Sequence, residues 1–250
     1  MQFDAATTRA CIGETTDLIR TIAPDAKDIQ VYVCPRSSAP DRLVDHAEKQ
    51  KRCFGLFTPL MDVALRDHLM SRGEWLGPGV AWYIDDVRIA EASCDHEEYR
   101  TGFIGICLHE FAHALCNNTW SHTFKEELVT PDLDVMDLWL RCVEPTADDD
   151  EPRELWLDHG QDFVRACCHL WHRASRLIDI APRNLAFAGR RYGLIDAERY
   201  IASLGRELND RSGEPIREIL ATSPPGSFER LWRFNTEPPW QPETEPEEIL

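Results

Sequence analysis

The stretch "GICLHEFAHALCNN", residues 105–118, decides how this chain is read. Ile104, Leu108, Phe111 and Leu115 recur at i, i+4, i+7 and i+11, the spacing of one helix face turned to a core. His109 and His113, four positions apart, share a different face. Upstream, Asp95 and Glu98 form a variant of the capping box, and the acids of "DHEE" suit the positive end of the helix dipole. The expected helix runs from about residue 97 to 117 or 118, with Gly102 and Gly105 weakening its first half.

Working outward, residues 7–22 form an amphipathic pattern with Cys11, Ile12, Leu18, Ile19 and Ile22 as its apolar set. "IQVYV" (29–33) has the β-branched and aromatic content of a strand. Residues 58–73 read as a helix, with Thr58 at its cap, Pro59 in its first turn and Gly73 at its end. "VAWYIDDVRIA" (80–90) follows a Gly-Pro-Gly break and reads as a strand or hairpin. It is a candidate edge for pairing with an extended peptide, or an interior strand placing Val80, Trp82 and Ile84 in the core.

Beyond the histidine pair, residues 118–153 are acidic and irregular, a surface insertion. A second patterned helix starts near "HGQDF", with Phe163, Ala166, Cys167, Leu170, Ala174 and Leu177 on its apolar stripe, and another spans 195–208. After Thr222 the chain is rich in proline and glutamate, although Trp232, Phe234 and Trp240 are able to dock. The expected organisation is one domain over 1–221 with the insertion inside it, followed by a tail over 222–250.

The 250 residues suffice for a real core, and no apolar run approaches the length of a membrane span. The first residues lack a basic segment followed by an apolar one, so no secretory signal is expected. Nine cysteines without a CxxC pair argue for reduced thiols and a cytoplasmic location. A net charge of −17 disfavours a nucleic-acid partner, whose affinity rests on Lys and Arg displacing counterions.

The chemistry lies in His109-Glu110-Phe111-Ala112-His113. Two imidazoles one helical turn apart can hold one ion, and Glu110 then projects beside the ion's open position as a general base. Zinc suits this donor set. A catalytic zinc generally takes three protein ligands, and residue 119, where a third histidine of a longer motif would fall, is Thr119. The open candidates are Cys116, His122, Glu126, Glu127, Glu144, Glu154 and His159. His159 is the best placed, at a corner where Gly160 gives the backbone freedom to turn and Phe163 anchors the following helix. Asp158 and Asp162 flank that corner as hydrogen-bond partners for His159 or as helix caps, while His169 and His172 read as outer groups or as ordinary helix histidines. An oxyanion-stabilising group is open among Tyr192, Tyr200, His122 and the arginines.

"HEFAH" followed by a separate "HGQDF" corner resembles the SprT-like zinc metallopeptidases, over roughly residues 84–177. The resemblance implies an α+β, zincin-like fold: a small sheet packed on an active-site helix, with additional C-terminal helices. It implies zinc held by His109, His113 and His159, Glu110 as general base, and hydrolysis of a protein or peptide substrate. The acidic stretch lengthens the spacing between the two motifs, and no cysteine zinc ribbon follows the second. The alternative expectation is a zinc-binding, non-catalytic scaffold of the same shape, serving as a binding or regulatory module.

Overall fold

The computed structural model describes residues 3–41, 43–45, 54–56, 59–116, 160–182 and 197–236. Asp4 opens the chain's first helix, α1 (Ala5–Ile22), its carboxylate accepting the Thr7 N–H at 2.8 Å. Cys11, Leu18, Ile19 and Ile22 of the expected apolar set are buried. Strand β1 (Gln30–Pro35) follows, then the two-residue β2 (Gly55–Leu56), helix α2 (Pro59–Ser71) and strand β3 (Gly79–Ile84).

The sheet order is β1-β3-β2, with β1 parallel and β2 antiparallel to β3. In the register Val31 faces Val80 and Val33 faces Trp82, while β2 touches β3 only at Tyr83 and Ile84. Strand alternation divides the side chains between two cores. Val31, Val33, Val80, Trp82 and Ile84 join the large cluster under the helices, whereas Cys34, Ala81 and Tyr83 pack with Leu65 and Leu69 of α2. All six residues of β3 are buried, as expected of a strand covered on both faces. Its start is tight: a Cβ on Gly79 would fall onto the backbone carbonyl of Gln30.

Of the two readings of this strand, the interior one, with Val80, Trp82 and Ile84 in the core, is the one observed. Among the described residues β3 is the central strand, flanked by β1 and β2. The strand does not continue to residue 90. Asp85 accepts the Arg88 N–H at 3.1 Å and starts helix α3 (Asp86–Ala92), because an aspartate at that point caps a helix more readily than it extends a strand.

Helix α4 (His96–Cys116) crosses the centre of the molecule. The Asp95 carboxylate accepts the Glu98 N–H at 2.8 Å, and Glu98 reaches back to the Cys94 N–H at 2.7 Å, so the expected capping box forms. Ile104, Leu108, Phe111 and Leu115 are all buried, with the Phe111 ring 6.2 Å from that of Trp82. Arg217 donates to the Ala114 carbonyl at 3.1 Å and closes the other end of the helix, where a cation is favoured.

Four further helices complete the described residues: α5 (Gln161–Ala174), α6 (Ala197–Asp210), α7 (Ile216–Leu220) and α8 (Gly226–Thr236). The α5 stripe is buried from Phe163 to Ala174, but the helix ends there and Leu177 is 56% exposed. Part of the expected tail is α8, which buries Phe228 beside Tyr200 of α6 and packs Trp232 against the same ring, leaving Phe234 outside. Trp240 and the insertion over 118–153 lie outside the described residues.

The fold is thus mixed, mostly helical, with one small sheet, which agrees with an α+β class. Among the described residues no helix is long and apolar enough to cross a membrane. Every described cysteine is a free thiol, and burial pushes Cys107 and Cys167 up, as for sulfur used as a small hydrophobe.

Candidate active site

The α4 helix presents His109 and His113 half-buried on one face, their ring centroids 5.0 Å apart and their planes at 75°. Phe163, in the first turn of α5, lies against both: 4.8 Å from the His109 ring, edge to face, and 4.3 Å from the His113 ring, stacked. One aromatic side chain therefore walls the imidazole pair and ties the N-terminus of α5 to it. Gly160 is the N-cap of α5. Its φ of −67° and ψ of −176° are open to any residue, so the turn there does not depend on glycine.

Glu110 is 4% exposed and lies beside β2. A Cβ placed on Gly55 would meet Glu110 Oε1 at 2.7 Å and Ile106 Cγ2 at 2.7 Å, so β2 runs directly against the carboxylate because residue 55 has no side chain. This contact escaped the sequence reading. Its only local signal was a glycine in "CFGLF", and two residues are too few to show strand alternation.

The remaining candidates fall into three groups. Cys116 sits half-buried at the end of α4, its thiol pushed up to about 12 by burial and by the charge of Asp162. Tyr200 belongs to the core, packed on Phe228. His122, Glu126, Glu127, Glu144, Glu154, Asp158, His159 and Tyr192 lie outside the described residues. Among the described residues no cluster of three His, Cys, Asp or Glu side chains forms a metal-binding group; of the three expected donors, His109 and His113 lie among them.

His169 is a structural histidine. It is fully buried on α5, and its Nε2 donates to Glu207 Oε1 at 3.0 Å. Arg165, also buried, grips both Glu207 oxygens at 2.9 Å and donates to the Thr222 carbonyl at 2.6 Å. Burial alone would raise the Glu207 pKa, but the bonds from His169 and Arg165 outweigh it and hold the carboxyl down to about 2. Burial lowers the His169 pKa, with the bond to Glu207 and its charge opposing the shift. Arg173, one turn further, donates to the carbonyls of Ile22, Arg211 and Glu214 and binds α5 to the end of α1 and to the segment between α6 and α7.

Comparison with family models, with curated proteins and with solved structures found no match.

Proposed function

We propose that this chain is a zinc-dependent metallopeptidase of a zincin-like fold, with His109, His113 and His159 as ligands and Glu110 as general base. The observation that carries this reading is the contact of Phe163 with both imidazoles. It brings the start of α5 to the histidine face, and in the sequence His159 directly precedes Gly160, the N-cap of that helix.

Zinc held by three imidazoles supplies a Lewis acid that polarises a carbonyl and makes water acidic near neutral pH. The protein's own contribution is proton handling and placement. Glu110 takes a proton from the attacking water at its carboxylate and delivers it to the departing amine. Its burial against Gly55 fixes that carboxylate beside strand β2.

The test is metal content and peptide cleavage measured together. Glu110→Gln is expected to keep one zinc per chain and lose about 10²- to 10⁴-fold in rate. His159→Ala is expected to lose the metal. Full activity in the glutamine variant, or unchanged zinc affinity in the alanine variant, refutes the assignment.

A further inference from the structure

A groove of about 620 Å³ lies along the first half of α4. Its floor is apolar, with Phe54, Ile89, Gly102 and Ile106. Its rim carries four acids, Asp95, Glu97, Glu98 and Asp179, and no Lys or Arg is among its described lining residues. Asp95 and Glu98 are oriented by the capping box, and Glu97 accepts from Arg100 at 2.6 Å. That guanidinium is shared between Glu97 and Glu14, so among the described residues the rim is negative. The groove leads to Glu110: Ile106 lines its floor one turn earlier, and Ile106 and Glu110 crowd Gly55 together.

We propose that this groove holds the basic flank of an extended peptide, on one side of the bond that Glu110 serves. The proposal rests on the peptidase reading and adds a substrate class to it. Lys and Arg match the groove because their aliphatic stems cover apolar surface while their cationic heads reach carboxylates. Phosphate-bearing ligands are repelled by the same rim. The spacing follows from helix geometry. Gly102 and Glu98 precede Glu110 by about 12 and about 18 Å at 1.5 Å per residue, or about four to six residues of an extended peptide. Cleavage is therefore expected four to six positions from a basic cluster.

The experiment measures binding without turnover, on the zinc-loaded Glu110→Gln variant, by fluorescence anisotropy of a labelled lysine-rich peptide and its glutamate counterpart. The lysine peptide is expected to bind at least about tenfold tighter, and to weaken steeply with salt. Glu97→Gln with Asp179→Lys should reduce the preference to within about threefold. Asp17→Lys with Glu198→Gln makes the same change in net charge on α1 and α6 and should leave it intact. Ala92→Trp, at an exposed groove position, should weaken the lysine peptide with every charge in place. Equal affinity for the two peptides overturns the proposal, as does an equal loss in the α1/α6 control, which would make the attraction one of net charge. Charge-selective binding by a protein that neither retains zinc nor cleaves peptides would refute the peptidase reading and leave the groove assignment standing.

Discussion

Helix α5 touches two constellations of histidine and glutamate, and they are built in opposite ways. At the first turn of α5, Phe163 meets His109 and His113, which remain half-buried on the α4 surface. Further along, His169 is sealed against Glu207, and that carboxylate is already neutralised by the bidentate grip of Arg165. The second constellation bonds to itself and to the Thr222 carbonyl, and it fastens α5 to α6 and to the turn after α7. The first arranges two imidazoles side by side at an accessible face. The contrast shows why residue type alone cannot assign a histidine: His169 is fully buried and bonded to a carboxylate, whereas His109 and His113 lie half-buried against an aromatic ring.

The sharpest way to break this comparison is to disable each constellation in turn. Arg165→Met leaves Glu207 buried without its cation and is expected to cost about 3–5 kcal/mol in a denaturant titration. His113→Ala should leave the denaturation midpoint nearly unchanged while abolishing zinc retention and hydrolysis. If both variants lose stability alike, the two sites do not differ in kind. Next in size, Gly79→Ala forces a methyl against the Gln30 carbonyl between β1 and β3 and should cost about 1–3 kcal/mol, read as a lower melting temperature. Gly55→Ala meets the side chains of Glu110 and Ile106 instead of backbone, so it should cost less stability than Gly79→Ala and lower kcat about tenfold, because a base displaced by a fraction of an ångström loses its alignment. A stability loss with kcat intact would remove Gly55 from the site.

The smallest effect is in the acid range. His169 and Glu207 both have folded-state pKa values below their unfolded ones, so the unfolded chain binds more protons and stability falls as pH falls. The His169 contribution is present above its unfolded value near 6.5 and declines below it. That of Glu207 is present above about 4.5 and is lost progressively toward about 2. Thermal melts in steps from pH 7 to pH 3 should show this decline in wild type and a weaker one in a His169→Phe, Glu207→Leu double variant.

Much of the helical frame was legible in the sequence, because amphipathic spacing and end signals are local. The α4 boundaries, the Asp95–Glu98 box and the buried stripes of α1 and α5 all follow from residues within a few positions of one another. The losses came where identity is set at a distance. "DVRIA" has β-branched residues and looked like continued strand until Asp85 took the role of cap. Strand β2 exists only through pairing with Tyr83 and Ile84, and the order that places it beside β3 is not encoded nearby. Helix α8 was hidden by the proline and glutamate around it, although Phe228, Leu231 and Trp232 have helical spacing and pack on α6 or the core behind it. The Arg165–Glu207 pair spans 42 positions, and nothing in the line of residues announces it. Of the candidate site, the imidazole pair and the anchoring role of Phe163 were readable, whereas the backbone pressed against Glu110 was not.

The hydrogen bond from Arg217 to the Ala114 carbonyl joins positions 103 residues apart. Arg217 is itself held by Asp25, which also takes the Ile216 N–H at 2.7 Å. During synthesis, the helix that carries the imidazoles must wait for the far side of the polypeptide before its last turn is fastened. A chain stopped short of that arginine keeps both histidines and lacks the clasp that steadies them.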